Sequence, residues 1–104
     1  MLQLKQSATF EKWIRKLGDE RAKAIIAARL QRLVSGLMGD IAPVGDGISE
    51  LRIHYGPGYR IYLKQQGEVY IILLCAGDKG SQQRDIETAK RIADWRTQDD
   101  RTLQ

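Results

Sequence analysis

One cysteine, one histidine, one phenylalanine and two prolines occur in 104 residues, and each scarcity removes a class of protein. A lone Cys75 cannot close an internal disulfide, and its place in the apolar run 69–75 reads as a small buried hydrophobe. One histidine, one cysteine and scattered carboxylates offer no metal-ligand spacing, so neither a metal nor any other cofactor is expected. No apolar run approaches the ~18 residues that a membrane span requires. The signal-peptide pattern of basic start, apolar middle and small-residue cleavage site is also missing, so a cytoplasmic protein without membrane association is expected. Length and a hydrophobic content of 42% suit a single domain over 1–104, with a polar tail from about Thr97 that reads as frayed.

What is present is charge, unevenly placed. The formal net charge is +4, and residues 1–40 carry eight Lys/Arg against four Asp/Glu. Residues 46–68 hold three of each sign and residues 78–101 six of each, so the basic excess lies at the front of the chain. Such an excess favours an anionic partner.

Hydrophobic periodicity divides the chain. Alternation over 2–6 suits a short strand. Phe10, Trp13, Ile14 and Leu17 then fall at helical spacing, with Ser7 or Thr9 to cap the start and Gly18 to end it. A second helix follows Asp19 and Glu20, with Ala22, Ile25, Ile26, Leu30, Leu33 and Leu37 as its stripe and Gly36 and Gly39 as its end. The polar faces of the two helices carry Lys12, Arg15, Lys16, Lys23, Arg29 and Arg32.

Residues 40–47, with one proline and two glycines, read as a loop. Strands are expected over 48–55, 59–64 and 68–75, then a turn at 78–81, then a weaker helical stripe of Ile86, Ala89, Ile92 and Ala93 running to about Trp95. The fold class is therefore α+β, with two N-terminal helices on one face of a small antiparallel sheet and a C-terminal helix after it.

The segment 50–64 carries the chemistry. With Gly56, Pro57 and Gly58 as the loop, Ile53 faces Ile61 and Leu51 faces Leu63 on one side of the ladder. On the other side His54 faces Arg60, Arg52 faces Tyr62 and Glu50 faces Lys64. The apolar side is expected to lie under the helices, leaving Arg52, His54, Arg60 and Tyr62 outward. Lys79, just beyond the third strand, is placed to reach the edge of the same face.

These residue types are those that metal-free RNA cleavage needs. The attacking 2′-hydroxyl must lose a proton, the phosphorane charge must be held, and the 5′-oxygen must gain a proton. Arg52, Arg60 and Lys79 are candidates for holding charge, since guanidinium forks match phosphate geometry. His54 and Tyr62 are candidates for moving protons. Histidine titrates near ~6.5 when unperturbed, and a phenol beside guanidinium groups is expected to become more acidic.

The runs ATFEKWIRKLGDERAKAIIAARLQRL, GISELRIHYGPGYRIYL and ILLCAGDKGSQQRDI are similar to those of the HigB-like branch of the RelE/ParE toxin superfamily, often labelled addiction module killer proteins. The resemblance runs from about Gln6 to Ala93. It implies a RelE-like fold, ribosome-dependent cleavage of messenger RNA, and a cognate antitoxin, in this branch usually a small HigA-like helix-turn-helix protein. Arg52, Arg60 and Lys79 match positions of the branch's motif, whereas His54 and Tyr62 are proposed by chemistry alone. Several relatives place a catalytic Tyr or His after the last strand, and here residues 81–95 contain neither. Members of the superfamily that inhibit DNA gyrase share the fold without these groups, and a nucleic-acid-binding module without catalysis is a third reading.

Overall fold

The computed structural model describes residues 2–96, with the side chains of Trp95 and Arg96 excepted; the tail expected to fray from Thr97 lies outside the described residues. The element order is β1 (Gln3–Gln6), α1 (Ala8–Lys16), α2 (Glu20–Val34), β2 (Ile41–Gly45), β3 (Ile48–Ile53), β4 (Tyr59–Gln66), β5 (Tyr70–Asp78), a single 3₁₀ turn (Lys79–Ser81) and α3 (Gln82–Arg96). The α+β class holds. Its sheet has five strands in the order β1-β5-β4-β3-β2, with β1 parallel to β5 and the remaining pairs antiparallel.

Local chemistry sets the helix starts. The Ser7 hydroxyl accepts from the Phe10 amide at 3.0 Å and donates to the Leu74 carbonyl at 2.5 Å, so one buried side chain caps α1 and ties it to β5. Asp19 accepts from the amides of Arg21 and Ala22 and caps α2. The second helix stops at Val34, one turn earlier than its apolar stripe suggests, because Gly36 turns the chain at φ 90°. Leu37 is consequently 62% exposed and belongs to no core.

The segment expected to be a loop, 40–47, is mostly the edge strand β2. Its end at Gly45 leads into Asp46 and Gly47 at φ 56° and 77°, the pair of positive values that a two-residue primed turn requires. Pro43 is tolerated because β2 pairs on one side only.

Two apolar clusters sandwich the sheet. Phe10, Ala22, Ile26, Leu30 and Leu33 from α1 and α2 pack on Leu51, Ile53, Tyr59, Ile61, Leu63, Ile71, Leu73 and Ala76. On the opposite face Ala89, Ile92 and Ala93 of α3 pack on Ile48, Tyr62, Ile72, Leu74 and Cys75. A bulge where Tyr62 pairs with Cys75 but Leu63 with Leu73 lets the consecutive Leu74 and Cys75 both join the α3 cluster. Covering of the second face by α3 overturns the expectation that the Arg52, Tyr62 side of the hairpin lies open.

Candidate functional site

Hairpin pairing differs from the sequence expectation by two residues. Ile53 pairs with Tyr59, Arg52 with Arg60, Leu51 with Ile61 and Glu50 with Tyr62. An even shift leaves every side chain on its expected face, since strand side chains alternate with period two. The cause is the turn. His54 leaves the ladder, the Tyr55 amide donates to the Ile53 carbonyl at 2.9 Å, and the Gly58 amide donates to the Tyr55 carbonyl at 3.1 Å. Five residues, 54–58, thus make the loop instead of three, with Gly56 and Gly58 at φ 57° and 81°.

This register sets two arginines directly opposite one another, an arrangement that repels unless neutralised. Glu50 supplies the neutralisation. Its side chain is fully buried, and Oε1 accepts from Arg52 Nε at 2.9 Å and from Arg60 Nη1 at 3.3 Å. Oε2 accepts from Tyr62 Oη at 2.9 Å and from Gln82 Nε2, the first residue of α3, at 2.7 Å. Two donors on each oxygen fill the acceptor capacity of the carboxylate. Burial alone would raise the Glu50 pKa, but hydrogen bonds from Arg52, Gln82 and Tyr62, with the Arg60 charge, outweigh it and hold the group below its ordinary value. The carboxylate stays ionised and fixes both guanidinium groups.

Tyr62 departs from expectation. It is fully buried beneath α3, and burial first, then its hydrogen bond to ionised Glu50, push its pKa up, not down. The guanidinium groups that were expected to acidify it are already committed to Glu50. Tyr62 serves as a hydrogen-bond donor to that carboxylate.

A second pair lies at the rim. His54 is 72% exposed, and its Nε2 lies 2.5 Å from Asp40 Oδ2. The other oxygen of Asp40 is 3.8 Å from Arg52 Nη1. Asp40 reaches this place because Gly39 takes φ 68° and the Arg52 amide donates to the Asp40 carbonyl at 2.9 Å. Arg29, expected on the polar face of the second helix, is half-buried and donates through Nη1 to the Arg52 carbonyl at 3.0 Å. The hydrogen bond with His54, together with the Arg52 charge, keeps the Asp40 carboxyl below its ordinary value.

Of the five residues singled out by sequence, Arg52 and Arg60 meet through Glu50, Tyr62 joins them from below, and His54 stands beside Arg52 through Asp40. Lys79 is exposed at the 3₁₀ turn; its Cβ lies 3.5 Å from where a side chain at Gly58 would begin, so it adjoins the hairpin loop and not the Glu50 cluster. Sequence reasoning missed Glu50, Gln82 and Asp40 as members. Glu50 was visible as the one carboxylate on the two-arginine face of the hairpin, but the three-residue loop paired it with Lys64 at the far end.

Cys75 is buried, its Sγ 3.3 Å from the Asp85 carbonyl, and burial pushes the thiol up to about 12. Among the described residues no group of three His, Cys, Asp or Glu is arranged to hold a metal, and no helix is long and apolar enough to cross a membrane.

Fold and cluster together define an α+β domain with a mixed five-stranded sheet and a carboxylate-centred cation cluster at one end of it. No family model matches the chain. It is similar to an uncharacterized protein of Haemophilus influenzae, 54% identical over 92 residues that make up 88% of this chain and 93% of that protein. The chain belongs to the family of that protein.

Proposed function

We propose that this chain is a RelE-like toxin of a type II toxin–antitoxin pair, which arrests translation by ribosome-dependent, metal-independent cleavage of messenger RNA and is neutralised by a helix-turn-helix antitoxin. The observation that carries the reading is the rim at the hairpin end of the sheet. Arg52 keeps about a third of its side chain exposed (36%) while Glu50 fixes its Nε and Asp40 stands 3.8 Å from its Nη1, so the fork is oriented and still accessible to a phosphate. His54 stands beside it as the exposed proton-transfer candidate, and Lys79 adds a cation at the loop. Arg60, with 13% exposure, contributes charge from just behind. The helical pair ahead of four consecutive antiparallel strands supports the RelE-like assignment.

Induced expression in a bacterial host, followed by primer extension on cellular transcripts, tests the proposal. New 5′ ends within coding sequence, absent from cells expressing Arg52→Ala, are expected together with growth arrest. Growth arrest with intact transcripts would reject cleavage. One observation favours that second reading, a gyrase-directed toxin without nuclease chemistry: Tyr62 is buried and proton-retaining, which leaves His54 as the lone proton mover among the residues singled out. Supercoiling defects and indifference to His54→Ala are expected in that case.

A further inference from the structure

We propose that Asp40 is a positioning residue for His54, fixing the imidazole as the tautomer whose bare nitrogen, Nδ1, is the proton acceptor of the site. The chemistry of this proposal rests on the cleavage reading; its geometry does not. Two observations carry it. Once ionised, the carboxylate of Asp40 can only accept, so a neutral ring bonded to it through Nε2 must hold its proton on Nε2. Nδ1 is then unprotonated, on a side chain that is 72% exposed. The two oxygens of Asp40 also divide between His54 and Arg52, at 2.5 Å and 3.8 Å. One carboxylate therefore joins the histidine to the guanidinium that would hold the phosphate, the arrangement of a base oriented by a third group.

Asp40 is itself held from three directions. The Gly39 turn and the hydrogen bond from the Arg52 amide fix its backbone, and the charges of Arg52 on β3 and Arg29 on α2 act with the His54 hydrogen bond to keep it ionised. In the step this geometry serves, Nδ1 takes the 2′-hydroxyl proton as the 2′-oxygen bonds to phosphorus and the bond from phosphorus to the 5′-oxygen breaks. The products are a 2′,3′-cyclic phosphate and a 5′-hydroxyl whose proton comes from solvent water. The imidazolium stays paired with Asp40 until it returns its proton to water.

A chain with a single histidine makes the test direct. In protein labelled with ¹⁵N at histidine, the two ring nitrogens of the neutral form separate widely in chemical shift according to which one carries the proton. The wild-type ring is expected wholly as the Nε2–H tautomer, and Asp40→Ala is expected to give a mixture. A wild-type ring protonated on Nδ1, or a tautomer ratio that Asp40→Ala leaves unchanged, overturns the assignment. The second arm measures cleavage on programmed ribosomes, where Asp40→Ala and Asp40→Asn are each expected to cut at least about tenfold more slowly, as loss of an oriented general base implies. Their melting midpoints control for folding. A pair that only pins the loop would lower the midpoint and spare the rate, and that result overturns the catalytic part. If wild-type protein makes no new RNA ends while its tautomer is fixed by Asp40, the cleavage reading fails and the positioning of His54 stands.

Discussion

The two faces of the sheet are held down by helices in different ways. Under α1 and α2 the sheet presents an apolar cluster drawn from β3, β4 and β5, Leu51, Ile53, Tyr59, Ile61, Leu63, Ile71, Leu73 and Ala76. Under α3 the far end of the sheet is equally apolar around Leu74, Ala89 and Ile92, but the hairpin end buries a carboxylate, a phenol and part of two guanidinium groups. The first face obtains stability from area removed from water, at about 25 cal/mol per Å². The second obtains it only if every polar partner is present, since a buried charge is tolerable when paired and costly when stranded. A fold can therefore carry a charged, fully partnered cluster on one face because the other is ordinary core.

The largest expected effect breaks this comparison at its centre. Glu50→Ala strands two guanidinium groups and a phenol that share one carboxylate, and should cost about 3–5 kcal/mol of unfolding free energy by urea denaturation. Leu51→Ala, one residue along and pointing to the opposite face, should cost about 2–5 kcal/mol. The totals overlap but the origins do not. The Leu51 loss should be indifferent to salt and pH, whereas the Glu50 loss should track both. A Glu50→Ala variant as stable as wild type would show that the cluster contributes no net stability.

The same contrast explains what was readable in the sequence. Ser7, Asp19, the apolar stripes and the alternation in β3 and β4 are local or periodic signals, and they placed the helix starts, the central strands and the side of the hairpin on which each residue lies, but not the edge strand β2 or the end of α2. Register depended on loop length, and loop length depended on His54 leaving the ladder to meet Asp40, fourteen residues away and inside a segment read as loop. The Glu50 cluster draws on β3, β4 and the first residue of α3, thirty-two residues apart. No local pattern encodes such a meeting. That α3 would close over the Tyr62 face was likewise invisible, because its stripe is interrupted by polar residues and the face it covers is half charged.

Acid provides the next test, and its sign follows from the direction of the Glu50 shift. The folded-state pKa lies below the ordinary value of 4.5, so the carboxylate contributes stability that is complete above that value and is lost as pH falls through the lower folded value. Asp40, exposed and depressed chiefly by its hydrogen bond with His54, adds in the same direction. Stability measured by denaturant titration should hold from neutrality to about pH 4.5 and fall below it. Glu50→Gln should start lower and show a flatter acid limb. An unchanged limb in that variant would assign the acid sensitivity to other carboxylates.

Tyr62→Phe is a smaller perturbation of the same cluster. It removes one of four donors to Glu50 and leaves the ring packed beneath α3, so a loss of about 1.5 kcal/mol is expected, the low end of the range for a hydrogen bond to a charged group. The proposed RNA cleavage should survive, because Tyr62 supports Glu50 from below and does not reach the rim. Loss of cleavage by a folded Tyr62→Phe protein would restore the phenol to the reacting groups and would require α3 to move aside.

The smallest effect concerns the dry half of the α3 face. Cys75 sits 3.3 Å from the Asp85 carbonyl with its thiol pushed up to about 12 by burial, so almost no thiolate exists near neutral pH, and the thiolate is the reactive form. Iodoacetamide at pH 8 should label the native protein slowly and the urea-unfolded protein fast, with a protection factor that follows global stability. Because Glu50→Ala should speed labelling by about tenfold for each ~1.4 kcal/mol of stability it loses, this thiol reports whether the two halves of the face open together. Fast labelling of native wild type, with its melting midpoint unchanged, would mean that α3 lifts from the sheet on its own and that the Glu50 cluster does not hold the helix in place.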